Sequence, residues 1–211
     1  FQGRYAGVTS NGKLGYKVSG EYLSANEFQN ELRYSGNVRE QGIGGKVDWK
    51  TDVMRGEGAL VYYAGANRFE WNAGISKSNG VGQTNVGRNQ LVDWQYRHTQ
   101  LKWTSPHWYA NAYATQSLSG DSYAINRYSS ARLTTPATIS DDSVAKLSDW
   151  PAEGKLAAAE VQNNFTIAPL LDTRIIWGAQ VRRDDVSSKR EWLVDRTTNE
   201  NIVLNQQGVY A

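Results

Sequence analysis

A chain of 211 residues with no Cys, 39% hydrophobic and 21% charged side chains is long enough for one domain or two, and its composition excludes collagen-like, disulfide-scaffold and disordered classes. Lys+Arg 23 against Asp+Glu 21 gives +2, too little positive charge to neutralise a run of phosphates, so no nucleic-acid partner is expected. Mean hydropathy is -0.62 and the longest apolar stretches, such as 156–161, fall far short of the ~18 residues that a membrane-spanning helix requires. A β-barrel escapes that exclusion, because its strands need apolar residues only at alternate positions.

The aromatics, 8 Trp, 12 Tyr and 4 Phe, favour the amphipathic types that suit a boundary between oil and water. Phe1-Gln2-Gly3-Arg4 carries no initiator Met and no apolar h-region, so any export signal is expected upstream. The lack of Cys fits an oxidising compartment without disulfides and the cytosol equally well.

In chain order, period two first appears over 13–23, where Leu14, Tyr16, Val18, Gly20 and Tyr22 share one face and Lys13, Lys17, Ser19 and Glu21 the other. A weaker alternation covers 57–64. Phe69, Trp71, Ala73 and Ile75 then oppose Glu70, Asn72, Gly74 and Ser76. Within 91–104 the phase of Trp94, Tyr96 and His98 shifts to Leu101 and Trp103, which predicts a bulge near Thr99 or Gln100. Strands are also expected over 108–117 and 153–168. Ile175, Trp177, Ala179 and Val181 oppose Arg174, Gln180 and Arg182, with Ile176 the exception, and a last run spans 201–211. The acidic start Asp141-Asp142-Ser143 before Val144 predicts a short loop helix.

Several runs are longer than the five or six residues of ordinary strands and reach the roughly nine to eleven that cross a bilayer. Tight connections at Ser10-Asn11-Gly12, Ala66-Asn67-Arg68, Ser105-Pro106 and Pro169-Leu170-Leu171 alternate with long ones near 24–56, 79–90, 119–152 and 185–200. Outer-membrane barrels have that asymmetry of rims. The expectation is an all-β, antiparallel transmembrane β-barrel domain over 1–211. About nine strands are counted, an odd number, whereas single-chain barrels close with an even one, so the sheet is expected to be incomplete.

Tyr5-Ala6-Gly7-Val8 with the run from Asn11-Gly12-Lys13 to Gly20-Glu21-Tyr22 resembles the opening barrel hairpin of TonB-dependent outer-membrane receptors of the Bacteroidetes type. Gly80-Val81-Gly82-Gln83-Thr84-Asn85-Val86-Gly87-Arg88-Asn89-Gln90 leading to Trp94, and Trp177-Gly178-Ala179-Gln180-Val181-Arg182-Arg183-Asp184, agree with it in order along the chain. The resemblance implies the N-terminal part of a barrel of about 22 strands with a plugged lumen. It further implies residence in the bacterial outer membrane and energy-coupled uptake of a scarce solute such as a siderophore, cobalamin or a glycan. The partners it implies are outer-membrane lipid, the protein's own plug domain and the TonB complex, and a small solute ligand. The plug and its TonB box are not in this sequence.

Alternation makes Leu14, Tyr16, Val18, Tyr22, Phe69, Trp71, Ile75, Ile175, Trp177 and Val181 lipid-facing, with Tyr22, Phe69, Trp103 and Trp108 at the interfacial girdles. Lys13, Lys17, Glu21, Glu70, Arg174 and Arg182 are expected in the lumen. If Ile75 is near the midplane, Ile75→Arg should cost about 2–4 kcal/mol and Ser76→Arg much less. Trp150, Arg190 and Trp192, on the long loops, are the candidates for solute binding, since aromatics stack on rings and Arg pairs with anions. A soluble carbohydrate-binding or adhesion module is the alternative, with Trp71 and Trp177 packed between two sheets; a passive porin is a third reading.

No enzyme, cofactor or metal is expected. His98 and His107 are separate and have no Cys to complete a ligand set. Asp141, Asp142 and Asp149, and Asp184 with Asp185, offer hard oxygens for calcium but fit no EF-hand spacing, so solvated loops are the better reading. Nothing places Glu153, Glu160 and Asp172 as a glycosidase pair. Gly42-Ile43-Gly44-Gly45 opens no Rossmann unit, and the sequon Asn164-Phe165-Thr166 lies mid-strand.

Overall fold

A computed structural model describes residues 1–27, 32–33, 39–40, 47–84, 87–167 and 173–211. One antiparallel sheet dominates. Its strands are β1 (Gln2–Val8), β2 (Leu14–Asn26), β5 (Lys50–Ala64), β6 (Asn67–Gln83), β7 (Arg88–Thr104), β8 (Trp108–Leu118), β10 (Glu153–Ile167), β11 (Thr173–Ser187) and β12 (Ile202–Tyr210), paired in that order as a meander. Short β9 (Tyr123–Ala124) adds to β7, and β3 (Leu32–Arg33) pairs with β4 (Arg39–Glu40) apart from the main sheet. α1 (Ile125–Thr134) and α2 (Asp141–Leu147) lie between β8 and β10. The fold is all-β, as the alternation requires, but the sheet is open: β1 and β12 are its two edges and do not pair.

Strand formation follows from the side chains. Long alternating segments rich in Tyr, Trp, Val and Ile keep one chemistry on each face and pair antiparallel, some through tight reversals. At the first of these, Asn11 Oδ1 accepts from the Lys13 amide at 3.1 Å and from the Thr9 hydroxyl at 2.7 Å, and Thr9 N bonds the Leu14 carbonyl at 2.8 Å. The expected turn at Pro169-Leu170-Leu171 lies outside the described residues, as do Asp172 and Gly42-Ile43-Gly44-Gly45.

Three expectations about the strands need correction. No bulge occurs at Thr99 or Gln100, where pairing to β6 and β8 is regular. The register shift falls between Ser78 and Gly80, where Asn79 faces two residues, Val92 and Asp93. Asp93 takes φ 57 and its amide is held by Asn79 Oδ1 at 2.8 Å, a role that Asp tolerates. Trp94, Tyr96 and His98 share the polar face, and Leu101 and Trp103 the other, so the apparent phase shift was a change of face composition.

The expected long loop near 79–90 is mostly strand. Gly80 and Gly82 pair with Leu91 and Asn89, and the connection is short. Glycine there makes room rather than a loop: Gly80 has φ 139, and a Cβ would meet Thr51 Oγ1 at 2.6 Å. Likewise β2 and β5 extend into the expected 24–56 loop, reaching Asn26 and Lys50.

Candidate functional site

Cross-strand partners share a face, so the register sorts side chains into rows. One row reads Leu14, Tyr62, Phe69, Trp103, Ala110, Val161, Ala179, Val209; the next reads Tyr16, Leu60, Trp71, Leu101, Ala112, Ala159, Val181, Gln207. The opposite face carries rows such as Glu70, Lys102, Asn111, Glu160, Gln180, and Lys17, Ala59, Asn72, Gln100, Tyr113. All ten residues expected to face lipid, Tyr16, Val18, Trp71, Ile75, Trp177 and Val181 among them, lie on the apolar face. Trp71 is 41% and Trp177 39% exposed, and among the described residues no second sheet packs on them.

The usual distribution is inverted. Apolar Val18, Leu101 and Val181 are exposed, while polar Glu70, Lys102, Asn72 and Glu160 are half-buried. The polar face is cross-linked: Asn72 donates to Gln100 at 2.9 Å, Gln100 donates to Asn111 at 2.8 Å, and Tyr210 donates to Glu160 at 2.8 Å. Carboxylates lie near cations there, Glu70 near Arg68 (3.1 Å) and Lys102 (3.9 Å), Glu57 near Lys17 (3.8 Å), and Glu21 near Arg55 (3.7 Å).

On the apolar face three indoles satisfy their N–H groups within that face. Trp71 donates to Thr99 Oγ1 at 3.1 Å, Trp103 to Asn67 Oδ1 at 2.9 Å, and Trp177 to Asn163 Oδ1 at 3.2 Å. Each acceptor is an isolated polar residue in an apolar stripe. Sequence reading missed all three; the available signal was a lone Thr or Asn in an apolar stripe, directly across from its Trp only at Asn163. Of the expected girdle aromatics, Phe69, Trp103 and Trp108 lie near the tight turns, with Phe69 stacked on Trp103 at 6.3 Å and Trp108 edge-on to Trp177 at 5.8 Å, whereas Tyr22 lies towards the other rim, bonded to Asp52.

The apolar band is oblique to the strands. Its upper border on the apolar face is Asp52, Lys77, Arg97, Gln116, Lys155, Arg183 and Gln207 on successive strands from β5 to β12. That border drops four rows, eight residues, over six strand-to-strand steps. With ~3.3 Å per residue and ~4.8 Å between strands, the strands cross the band at about 40°. On β10 the band runs from Ala157 to Ile167, about 33 Å along the strand and about 25 Å after that tilt. Ile75 pairs with Arg97 and therefore sits at the border, so it is not the midplane position that the charge test needs.

Segment 119–152 forms a cap beyond that upper border, at the rim opposite the tight turns, and holds most of the buried apolar core of the described residues: Tyr123, Ile125, Tyr128 and Val144 are at most 2% exposed. α2 has its expected place. Ser140 caps it, accepting from the Ser143 amide at 3.3 Å, and Asp141 and Asp142 occupy its first turn. Gly120, at φ 60, seats the cap on β7; a Cβ there would meet the Val92 carbonyl oxygen at 2.2 Å.

Two of the expected ligand residues come together. Trp150 lies between Trp94 at 5.8 Å and Trp192 at 6.3 Å, a staircase at the cap end of the polar face. Trp94 was not foreseen as part of it, because only the fold brings it beside residue 150. Arg190 is not aimed into this cluster; it pairs with Glu200 at 2.5 Å on its own loop. That loop is latched to the cap by Arg127 with Glu191 (3.3 Å) and Lys189 with Asp149 (3.6 Å).

Among the described residues no three His, Cys, Asp or Glu side chains gather as a metal site. Asp184 is held by Arg182 (2.7 Å), Asp141 by Arg132 (3.5 Å) and Asp149 by Lys189. Glu153 and Glu160 are on opposite faces of β10. His98 is half-buried on the polar face, and His107 Nδ1 is 3.2 Å from the Asn164 carbonyl oxygen. Protein-family models, curated sequences and solved structures gave no match.

Burial, then the charge of nearby Asp141, pushes the Tyr128 hydroxyl up to about 12, and burial raises Tyr123 further. A raised folded-state value means that this stability is intact below the ordinary tyrosine range near 10 and is lost as pH climbs towards 12. Ultraviolet titration should therefore find Tyr123 and Tyr128 ionising late and together with release of the cap; ordinary ionisation of all twelve tyrosines would contradict the buried cap core.

Proposed function

We propose that this chain is a segment of an outer-membrane β-barrel, of the TonB-dependent receptor type, that imports a scarce solute with energy supplied from the inner membrane. The observation that carries the reading is the oblique apolar band on one face of a single sheet whose other face is polar and cross-linked. A tilt near 40° and a height near 25 Å agree with transmembrane barrels, which tilt ~35–45° and carry an apolar band ~25 Å tall. The indoles with satisfied N–H groups suit hydrocarbon, where an unpaired donor is costly. The open edges of β1 and β12 would pair with further strands to close the barrel, since no free edge survives in lipid. The polar face would line the lumen and meet a plug domain, and the staircase of Trp94, Trp150 and Trp192 at the mouth suits a solute with flat rings or sugar faces.

A soluble carbohydrate-binding or adhesion module requires Trp71 and Trp177 between packed sheets, and their exposure on one sheet disfavours it. The test is localisation with nutrient-limited growth. The reading expects the protein in outer-membrane fractions and expects its loss to abolish growth on one limiting siderophore, cobalamin or glycan, with Trp150→Ala rescuing poorly at normal protein levels. Recovery in soluble fractions, with growth unaffected on every such nutrient, would contradict it.

Thr99→Val gives a sharper physical check. It removes the acceptor of the Trp71 indole with almost no change of shape. In hydrocarbon the orphaned N–H should cost about 1–3 kcal/mol, and in water close to nothing. Unfolding by denaturant from lipid vesicles reads the difference; a neutral substitution would contradict lipid contact at this site.

A further inference from the structure

We propose that the apolar face carries a docking groove for the phosphate headgroup of a membrane lipid, formed by Arg97, Lys155 and Arg183; this rests on the membrane reading above. The three cations line one depression of about 560 Å³ whose floor is the small side chains Thr99, Ala114 and Ala157. Arg97 and Lys155 stand in the same row two strands apart, about 10 Å, and Arg183 is one row lower beside them. All three stand on the upper border of the apolar band, the depth at which a lipid's polar head meets its chains.

Lys17, Arg55, Arg68, Lys102 and Arg182, on the polar face, each have a carboxylate within 4 Å, and on the border of the apolar face Lys77 has Asp93 at 2.7 Å. Among the described residues Arg97, Lys155 and Arg183 have none. Arg97 bonds only the Gln95 amide oxygen, at 2.6 Å. One carboxylate, Asp185, the direct cross-strand partner of Lys155, also lines the depression, which keeps a net excess of two positive charges. Arg97 and Arg183 are left free to pair with an external anion, and a lipid phosphate at the interface is an anion that the bilayer supplies. Below the cations, Ala112, Ala114, Ala157 and Ala159 leave a shallow trough on β8 and β10 between Leu101 and Val181, open to an acyl chain.

The experiment is tryptophan quenching of the full protein in phosphatidylcholine vesicles that contain a minor fraction of phosphatidylglycerol, with bromine on the chains of one lipid at a time. Brominated phosphatidylglycerol is expected to quench several-fold more than its share of the bilayer, roughly three- to tenfold. Arg97→Gln, Lys155→Gln and Arg183→Gln together should return it to parity, whereas Lys102→Gln on the polar face should leave it unchanged. These substitutions are at exposed or half-buried positions, and an unaltered strand spectrum checks that the variants fold. Parity in the unaltered protein while brominated phosphatidylcholine quenches normally would overturn the headgroup groove and leave the membrane reading standing. No quenching by either lipid would overturn both. Loss of the preference on adding inorganic phosphate at constant ionic strength would also overturn the proposal, because the site would then be one for free phosphate.

Discussion

Val18→Arg is expected to destabilise the protein in a lipid environment by about 2–4 kcal/mol, and Ser19→Arg, the next residue, by less than about 1 kcal/mol. Val18 is central in the apolar stripe of β2, from Leu14 to Tyr22, and 60% exposed. It faces Tyr5 and Gly58 across the strands, with no carboxylate in its row. If that face meets lipid, as proposed, a guanidinium there would meet hydrocarbon and could leave it only by displacing the strand. At Ser19 the same group faces Glu57, its direct partner on β5, and the polar side of the sheet. Equal costs, read as denaturant midpoints from vesicles, would contradict the assignment of faces. In a water-soluble sheet both substitutions at these accessible sites would be nearly silent, so the pair separates the two environments as well as the two faces.

Gly120→Ala is expected to dislodge the cap. The backbone at φ 60 already disfavours any side chain by about 1 kcal/mol or more, and the added methyl would lie 2.2 Å from the Val92 oxygen and 2.7 Å from that of Asp93. Both neighbours are backbone, held in the β6–β7 bulge by the Asp93 amide bond to Asn79. Rotamer changes cannot relieve such a contact, so the combined cost should be about 3 kcal/mol or more. The sheet does not depend on the cap for its pairing. The expected signature is therefore local: loss of the near-ultraviolet signal from Trp94, Trp150 and Trp192 and faster amide exchange through α1 and α2, with strand content retained. Global unfolding in step with the cap would show instead that the sheet leans on it.

Much of this arrangement was legible in the sequence because a strand repeats every two residues and each face keeps one chemistry. The runs at Leu14–Tyr22, Phe69–Ile75 and Ile175–Val181 announced both the strands and their facing, and the acidic start Asp141-Asp142-Ser143 announced α2. Glycines misled. Gly80 and Gly82 read as loop, yet they are strand positions that admit Thr51 and Leu91, a demand set by a neighbour 29 residues away in the case of Thr51. The bulge was misplaced because Asp93 in a left-handed conformation leaves no mark in hydropathy. α1 was missed because its N-cap is Ala124, with no side-chain hydrogen bond, and its first turn holds no acid. The Trp staircase joins three segments that are distant in sequence, and such a juxtaposition is a property of the fold.

The central claim is that one face of this sheet meets oil and the other water. Single cysteines introduced along β7 from residue 95 to 103, into a protein that has none of its own, can carry a nitroxide label whose relaxation by oxygen and by a water-soluble nickel complex reports those two environments. With the protein in vesicles, oxygen should dominate at 99, 101 and 103 and nickel at 98, 100 and 102, the two profiles out of phase with a period of two. In-phase profiles, or high nickel access at Leu101 and Trp103, would mean that the apolar face is wet, and the account would fail.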